Sequence, residues 1–305
     1  MRCVVTGGAG FIGSHVANAL KQAGHDVLVV DVNGKNVCQV DIRDTLQLID
    51  VFRQYGPNIV FHLAAVADAK KALADPVEVV TINVSGTTSI LQAACRAGVE
   101  RVVLASTASV CGAMKLGSID ESEPFLPTST GHIYSTTKVA AEFLAHDYYQ
   151  LFGLPFTILR YGTIYGPAMW RGLALRAFLD QAAAGQPLVV YGDGSTSRSF
   201  LFVDDLAQAH VLALKKAAEN QTYHLVGARS VTVKELAELV SHLLGGVPIE
   251  YRQETSKFGD AQYRGMEMNS AKALRELGWE PKVDLQEGVQ RTIEWYRASV
   301  QNPVG

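Results

Sequence analysis

The sequence predicts an α/β protein, a doubly wound parallel sheet followed by a smaller C-terminal α/β lobe. Three observations support this fold class. Short apolar runs alternate with helical patterns through the first half of the chain, and a glycine-rich turn separates the first run from the first helix. After Gly166 and Pro167 the alternation becomes irregular. The chain has 305 residues, 48% of them hydrophobic, which is enough to bury a sizeable core.

The first half contains six apolar runs that predict strands. They lie at residues 2–6, 26–31, 37–40, 59–64, 101–106 and 156–161. Helices are predicted between them at residues 14–23, 44–55, 84–97 and 134–152. Ligands of open parallel sheets bind beyond the carboxyl ends of the strands. We therefore expect residues 62–65 and 105–107 to lie at the ligand edge.

The second half begins with a turn-rich loop at residues 192–195. Helices are predicted at residues 206–216, 233–244, 269–277 and 285–297, with a strand at 222–226. We assign residues 1–165 to a dinucleotide-binding domain and residues 166–305 mainly to a substrate lobe. Segments of about 199–227 are expected to return to the first domain.

The glycine-rich turn follows the first strand directly and places Gly7, Gly10 and Gly13 at three-residue intervals. Glycines in such a turn let backbone N–H groups approach a pyrophosphate, and the following helix N-terminus adds partial positive charge. The spacing departs from Gly-x-Gly-x-x-Gly, and an ordinary strand–helix–strand unit with a tight turn is the alternative. Asp31 ends the second strand, where a carboxylate grips the adenosine ribose and repels a 2′-phosphate. The sequence therefore predicts NAD rather than NADP.

Tyr134 and Lys138 are four residues apart on a predicted helix, so their side chains share one face. A free phenol has a pKa near about 10 and is a poor base at neutral pH. A neighbouring ammonium favours the phenolate and brings this pKa toward the working range. A surface helix pair is the alternative, but the preceding strand ends in the hydroxyl cluster Ser106, Thr107 and Ser109.

Composition excludes several other classes. The net charge of −3 is not gathered into basic or acidic runs, so it indicates neither nucleic acid nor an anionic membrane as a partner. The four cysteines are far apart and lack Cys-x-x-Cys spacing, so no metal site or disulfide framework is expected. No leader precedes the glycine turn and no apolar stretch reaches about 18 residues, which predicts a cytoplasmic protein.

At this point the chain resembles a known family, the extended short-chain dehydrogenase/reductases, and within it the NAD-dependent nucleotide-sugar epimerase/dehydratase group. Members of this family combine a Rossmann domain with a substrate lobe and carry the same motifs in the same order over essentially the whole chain. Here they are segments 6–13, 62–65, 106–112, 134–138, 160–167, 192–205 and 277–281, together with Asp31, Asp41, Ile42, Asn83, Val84, Gly86 and Thr87.

The resemblance implies roles for individual residues. Tyr134 is the implied base, Lys138 binds the nicotinamide ribose and lowers the tyrosine pKa, and Thr107 partners the sugar oxygen. Asn83 matches a family asparagine near the cofactor, with a helix N-cap as the alternative role. The implied cofactor-binding residues are Gly7, Gly10, Phe11, Ile12, Gly13, Asp31, Asp41, Ile42, Leu63, Ala64, Ala65, Asn83, Tyr134 and Lys138.

The implied substrate-binding residues are Thr107, Tyr134, Thr163, Arg171, Arg198 and Lys257. Arg198 resembles the arginine that clamps the nucleotide phosphates, a task that suits a guanidinium. Lys257 falls where relatives often have a second phosphate-binding arginine, with a solvated loop lysine as the alternative. A threonine at the position of Thr163 resembles the UDP-glucuronate epimerases. Arg171 lies close enough in sequence to bind a sugar carboxylate, with a surface charge as the alternative role.

Departures from the family pattern reduce the number of reactions that are expected of this chain. Dehydratases of this family have an acidic residue or pair after the strand-end threonine, where this chain has Ala108 and Ser109. The expected function is therefore a nucleotide-sugar 4-epimerase of the UDP-glucose/UDP-galactose type. A UDP-glucuronate epimerase, a reductase with exchanging cofactor and a non-catalytic dinucleotide sensor are the alternatives. Cys111 replaces a usual tyrosine and is expected to pack.

The resemblance also implies a homodimer. Relatives usually dimerise through the two helices that correspond to residues 84–97 and 134–152. Apolar Phe143, Leu144, Tyr148 and Leu151 would serve such an interface or belong to the core.

Overall fold

The computed structural model describes residues 1–111, 117–125, 132–253 and 266–301. Its strands are β1 (Arg2–Thr6), β2 (Asp26–Asp31), β3 (Cys38–Gln39), β4 (Ile59–His62), β5 (Arg101–Thr107), β6 (Gly117–Ile119), β7 (Phe156–Tyr161), β8 (Thr163–Tyr165), β9 (Leu188–Tyr191), β10 (Ser197–Phe202), β11 (Gln221–Leu225), β12 (Ser230–Thr232), β13 (Ile249–Arg252) and β14 (Met266–Met268).

The helices are α1 (Phe11–Gln22), α2 (Thr45–Tyr55), α3 (Ala69–Ala74), α4 (Pro76–Val80), α5 (Gly86–Ala97), α6 (Ile133–Phe152), α7 (Ala174–Ala183), α8 (Val203–Leu212), α9 (Val233–Leu243), α10 (Ala271–Leu277) and α11 (Leu285–Gln301). One π-helical turn, Thr81–Ser85, joins α4 to α5. Within the described ranges, no helix has the length and apolar character needed to cross a membrane.

Seven strands form one parallel sheet in the order β11-β7-β5-β4-β1-β2-β3. This confirms the predicted fold class. The register pairs Thr6 with Val30 and His62, and Thr107 with Tyr161. The carboxyl ends of the central strands therefore meet along one edge, where ligands of such sheets bind.

Helices cover both faces of this sheet. On one face α1 and α8 pack together, with Val16 and Leu20 in the same buried cluster as Leu206 and Ala209. On the other face α2 and α5 bury their apolar stripes, Leu48 and Phe52 on the first helix and Ile90 and Leu91 on the second. α6 lies beside α5 and buries Ala141 and Ala145 against the sheet.

The remaining part of the chain has its own apolar cluster. α7, α9 and α11 contribute Phe178, Leu236, Val289 and Ile293, and β9 contributes Val190. The sequence pattern predicted neither α7 nor the short strands β8, β9, β10, β12, β13 and β14. The predicted strand at 222–226 corresponds to β11, which pairs with β7 at the edge of the large sheet.

Candidate active site

The glycine turn lies between β1 and α1 and is packed too closely for side chains. Gly7 has a φ of +69°, and a Cβ there would lie 2.7 Å from the backbone nitrogen of Ala64. A Cβ on Gly13 would lie 2.1 Å from the carbonyl oxygen of Gly7. α1 begins after Gly10 without a side-chain cap, so its first N–H groups are left to a ligand. This bare cradle fits a pyrophosphate.

Asp31 ends β2 beside the glycine turn. Its two carboxylate oxygens accept hydrogen bonds from the backbone N–H groups of Ala9 (3.0 Å) and Asn33 (3.3 Å). These bonds hold the carboxylate at the turn, and the residue lines the same cavity as the glycines. A ribose diol suits this carboxylate, whereas a 2′-phosphate would be repelled.

Tyr134 and Lys138 lie in the first turns of α6, at the carboxyl edge of the sheet. The Nζ atom of Lys138 is 6.0 Å from the centre of the Tyr134 ring and donates a 3.0 Å hydrogen bond to the carbonyl oxygen of Ala105. The ring of His132 stacks on Tyr134 with centroids 5.9 Å apart and caps the start of the helix.

The ammonium of Lys138 is almost completely buried. Burial lowers the pKa of Lys138 to about 8, and the negative charge of Glu142 opposes this effect. His62, whose pKa burial and the Lys138 charge lower to about 3, stays neutral beside it. The arrangement therefore provides a phenol with a cation beside it and little solvent to screen the two.

These groups line one cavity of about 620 Å³ along the sheet edge. The lining residues at the glycine turn and the strand ends are Gly7, Gly10, Phe11, Ile12, Gly13, Asp31, Asp41, Ile42, Leu63, Ala64 and Ala65. Tyr134 and Lys138 complete the set. The structure thus brings together every predicted cofactor residue except Asn83.

Asn83 is buried in the π-helical turn, one layer behind the cavity wall. Its amide oxygen accepts from the backbone N–H of Val66 at 2.8 Å. Its amide nitrogen donates to the Val66 carbonyl and to the Thr137 hydroxyl, both at 3.0 Å. Asn83 is therefore not a helix N-cap, and it ties the loop after β4 to α6.

The predicted substrate residues are spread more widely. Thr107 ends β5 next to Ser106, which lines the cavity, and its hydroxyl bonds to Ser109 at 3.2 Å. Thr163 and Arg198 lie on the neighbouring strands β8 and β10. None of Thr107, Thr163 and Arg198 is among the residues that line the cavity.

Arg171 is 83% exposed and faces Asp180, with its Nε atom 4.0 Å from that carboxylate. It does not line the cavity. Lys257 lies outside the described residues. Cys111 is buried with Val110 and Ile119.

Several further side chains line the cavity that the sequence did not single out. Among them are Trp170, Arg43, Lys71 and Asp68. The Arg43 guanidinium contacts the carboxylates of Asp41 (2.6 Å) and Glu78 (3.0 Å). Arg43 and Trp170 lie in loops and Lys71 on the short helix α3, and local sequence patterns do not report where these segments meet the cavity.

The parallel sheet, the uncapped glycine turn and the Asp31 carboxylate beside it are together typical of a dinucleotide-binding α/β enzyme. The family model described as the NAD dependent epimerase/dehydratase family matches residues 3–226, and the chain belongs to this family. The protein is therefore an enzyme of this type with NAD as its cofactor, which confirms the predicted family, enzyme class and cofactor.

Curated and solved relatives extend over almost the whole chain. A UDP-glucuronate 4-epimerase from Thermodesulfobacterium geofontis is 29% identical, covering 98% of this chain and 97% of its own. A UDP-glucose 4-epimerase structure from Thermotoga maritima is 30% identical with a TM-score of 0.88, covering 98% and 100%. The dTDP-glucose 4,6-dehydratase DesIV from Streptomyces venezuelae is also 30% identical, with a TM-score of 0.89 and full coverage of both chains.

Proposed function

We propose that the protein is a nucleotide-sugar 4-epimerase that acts on a UDP-hexose and uses Tyr134 as its acid–base group. One observation carries the proposal. Tyr134 and the buried Lys138 line the same cavity as the dinucleotide cradle, at the carboxyl end of β5. Similarity to epimerases that act on UDP-sugars supports the substrate class.

The proposed reaction needs one proton carrier. NAD bound in the cavity supplies a reversible hydride acceptor for C4 of the sugar. The Tyr134 phenolate takes the proton of the 4-hydroxyl, and the adjacent Lys138 ammonium stabilises the phenolate. The Thr107 hydroxyl holds the sugar oxygen. After the 4-ketosugar turns over, C4 takes the hydride back on its other face and Tyr134 returns the proton to the same oxygen.

The strand-end residues favour epimerisation over dehydration. Elimination of water requires an acid and a base next to the transient ketone, and the residues after Thr107 are Ala108 and Ser109. The acids that line the cavity are Asp31, Asp41 and Asp68, which follow other strands. Among the described lining residues, none supplies a carboxylate after β5.

A neutral hexose is favoured over a uronate. A sugar carboxylate needs a cation in the sugar site, and the candidate Arg171 is exposed and paired with Asp180. The nucleotide is proposed to reach Arg198 on β10, and Lys257 is retained as a second phosphate contact. We assign residues 1–165, with returning segments of about 199–227, to NAD and the rest of 166–305 mainly to the substrate.

A homodimer through α5 and α6 forms part of the proposal. Phe143 is 53% exposed and Leu151 is 73% exposed on α6. Leu144 and Tyr148 are partly buried against the core of the same molecule. Size-exclusion chromatography at several concentrations tests the dimer, and a monomer throughout would refute it.

The function is tested by proton NMR of the purified protein with UDP-, dTDP-, GDP- and CDP-sugars, without added cofactor. Appearance of the 4-epimer's anomeric signal with a UDP-hexose is the expected result. UDP-glucuronate as the sole substrate would contradict the proposed hexose. Silence across the panel would favour a reductase with exchanging cofactor.

The mechanism is tested by Tyr134→Phe beside Tyr149→Phe, a matched control on the exposed side of the same helix. Loss of the acid–base group is expected to lower turnover by about 10²–10⁴-fold, while the control keeps its rate. A Tyr134→Phe variant with unchanged turnover would remove Tyr134 from the mechanism.

A further inference from the structure

A buried ion pair lies directly behind the proposed active site. Glu142 on α6 and Arg160 on β7 are 1% and 4% exposed. Arg160 donates from Nη2 to Oε2 of Glu142 at 2.8 Å and from Nε to Oε1 at 3.0 Å. Moving the two charges out of water costs desolvation energy, which a pair of apolar residues at the same positions would not incur. A gain in folding stability is therefore not enough to explain why this ion pair is present.

The carboxylate of this pair is aimed at the active site by two elements. Glu142 follows Lys138 by four residues on α6, which places both side chains on one face of the helix. At the end of β5, Ser106 donates to Oε1 of Glu142 at 2.5 Å, and the neighbouring Ala105 carbonyl accepts from Lys138 at 3.0 Å. The same strand end therefore holds the lysine and the glutamate.

The other titratable groups near Lys138 provide no lasting negative charge. His62 on β4 is neutral because burial lowers its pKa to about 3. On the same helix, the Tyr134 phenolate loses its negative charge when it takes the substrate proton. Glu142 is thus the standing negative charge that opposes the effect of burial on Lys138.

The groups on the far side of Glu142 are the Arg160 guanidinium, two neutral side chains and one further carboxylate. The Nη1 atom of Arg160 lies 3.9 Å from Sγ of Cys111 and 3.4 Å from Nε2 of His224. Burial raises the pKa of Cys111 to about 11, and burial and the Arg160 charge lower that of His224 to about 3. Glu121 adds a negative charge near Arg160 and accepts from the backbone N–H of His224 at 2.8 Å.

We propose that Glu142 is a positioning residue that keeps Lys138 protonated in the working enzyme, with Arg160 and Ser106 holding its carboxylate in place. The inference rests on the proposed function because it assigns Lys138 the task of stabilising the Tyr134 phenolate. It goes beyond that function by identifying the group that maintains the lysine's charge.

The direct test is a pH titration of Lys138 by NMR, on the full chain with its NAD in place and with lysine labelled at Cε. Lys138→Arg identifies the signal by its loss. Glu142→Gln is expected to lower the pKa of Lys138 by about 1 unit or more, because it removes a nearby opposite charge. In turnover, the loss of activity on the alkaline side is expected to begin at correspondingly lower pH.

Arg160→Gln is the matched control because it breaks the same ion pair but leaves the carboxylate. Here the pKa of Lys138 is expected to stay the same or rise. If both variants lower it equally, or if Glu142→Gln leaves it unchanged, the role of Glu142 is structural only and the proposal is overturned.

If Glu142→Gln fails to fold because Arg160 is left buried without its partner, the double variant Glu142→Gln/Arg160→Met replaces it. The double variant leaves no unpaired buried charge. It is expected to fold and to titrate Lys138 below the wild-type pKa, at or above the value for Glu142→Gln because the Arg160 charge is also gone. A wild-type titration in the double variant would refute the proposal. The NMR titration uses no substrate, so its result is independent of whether any nucleotide sugar is epimerised.

Discussion

The hydroxyl oxygen of Thr6 lies 2.8 Å from Nδ1 of His62, and both groups are buried. On the other side of the ring, Nε2 is 3.0 Å from the hydroxyl of Thr87, which donates its own proton to the Asn83 carbonyl. Thr87 therefore accepts from Nε2–H, and the Thr6 hydroxyl donates to Nδ1. The contacts define one neutral tautomer of His62.

This chain of hydrogen bonds continues to the helix of the proposed base. The side chain of Asn83 donates to the Thr137 hydroxyl, and that hydroxyl donates to the Tyr134 carbonyl at 2.7 Å. The glycine turn that follows Thr6 and the helix that carries Tyr134 are thereby connected through buried polar groups. Such networks are costly when one member is left unpaired.

Thr87→Val is expected to destabilise the protein by about 1–3 kcal/mol because it leaves the Nε2–H group of His62 unpaired. Thr88→Val is the control, since Thr88 on the same helix bonds only to the Val84 carbonyl in the structure. Its cost is expected to stay within about 0.5 kcal/mol. Urea unfolding followed by circular dichroism measures both, and equal losses would contradict the network.

Stability is expected to fall as pH is lowered from about 6.5. Burial lowers the pKa values of His62, His210 and His224 to about 3, 4 and 3. Below about 6.5 the unfolded histidines bind protons while the folded ones remain neutral, so each removes about 1.4 kcal/mol per pH unit. The loss continues until the pH reaches the folded values.

His224→Gln tests this pH dependence. Unfolding of the variant is expected to take up about one proton fewer than the wild type between pH of about 5 and 6. His242→Gln, at an exposed position on α9, is the control substitution. An unchanged slope in the His224 variant would show that this histidine titrates normally when folded.

Gly13→Ala is expected to abolish NAD binding and to lower the melting temperature. The added Cβ would lie 2.1 Å from the Gly7 carbonyl oxygen, and relieving that contact distorts the cradle. Ser14→Ala, one residue along α1, removes only a hydrogen bond to the Phe11 carbonyl and is expected to bind NAD normally. Calorimetric titration with NAD compares them, and tight binding by Gly13→Ala would contradict the assigned cradle.

Trp170 is expected to report on cavity binding. It is 42% exposed at the cavity, whereas Trp279 is 2% exposed and bonded to the Asp205 carbonyl. A UDP-sugar that covers Trp170 shifts tryptophan emission to shorter wavelength. The shift is expected to vanish in Trp170→Phe and to persist in Trp295→Phe, whose indole packs over Arg176. Persistence in Trp170→Phe would place the sugar elsewhere.

The glycine turn and the Tyr134–Lys138 pair were predictable because both depend on local spacing. A helix places residues four apart on one face whatever surrounds it. By contrast, Lys71 lies on the short helix α3 and Trp170 in a loop, and the positions of both at the cavity depend on distant packing. Met169, next to Trp170, is buried in the C-terminal cluster, and nothing in the local sequence reports that partner.

The directions of individual side chains could not be predicted from the sequence either. Asn83 lies in the segment where it was expected, but a π-helical turn directs its amide toward Val66 and Thr137. Arg171 likewise lies in the expected segment and faces Asp180. Spacing places a residue on an element, whereas these directions depend on partners far away in the sequence.

The position of β11 has a consequence for synthesis. β7 ends at Tyr161, yet its edge partner begins only at Gln221, after β8–β10, α7 and α8 have been made. At about 5–20 residues per second, the ribosome leaves the edge of β7 unpaired for several seconds. Exposed sheet edges recruit other strands. A nascent chain paused before residue 221 is therefore a client for holding chaperones, and a fragment ending at residue 165 would aggregate.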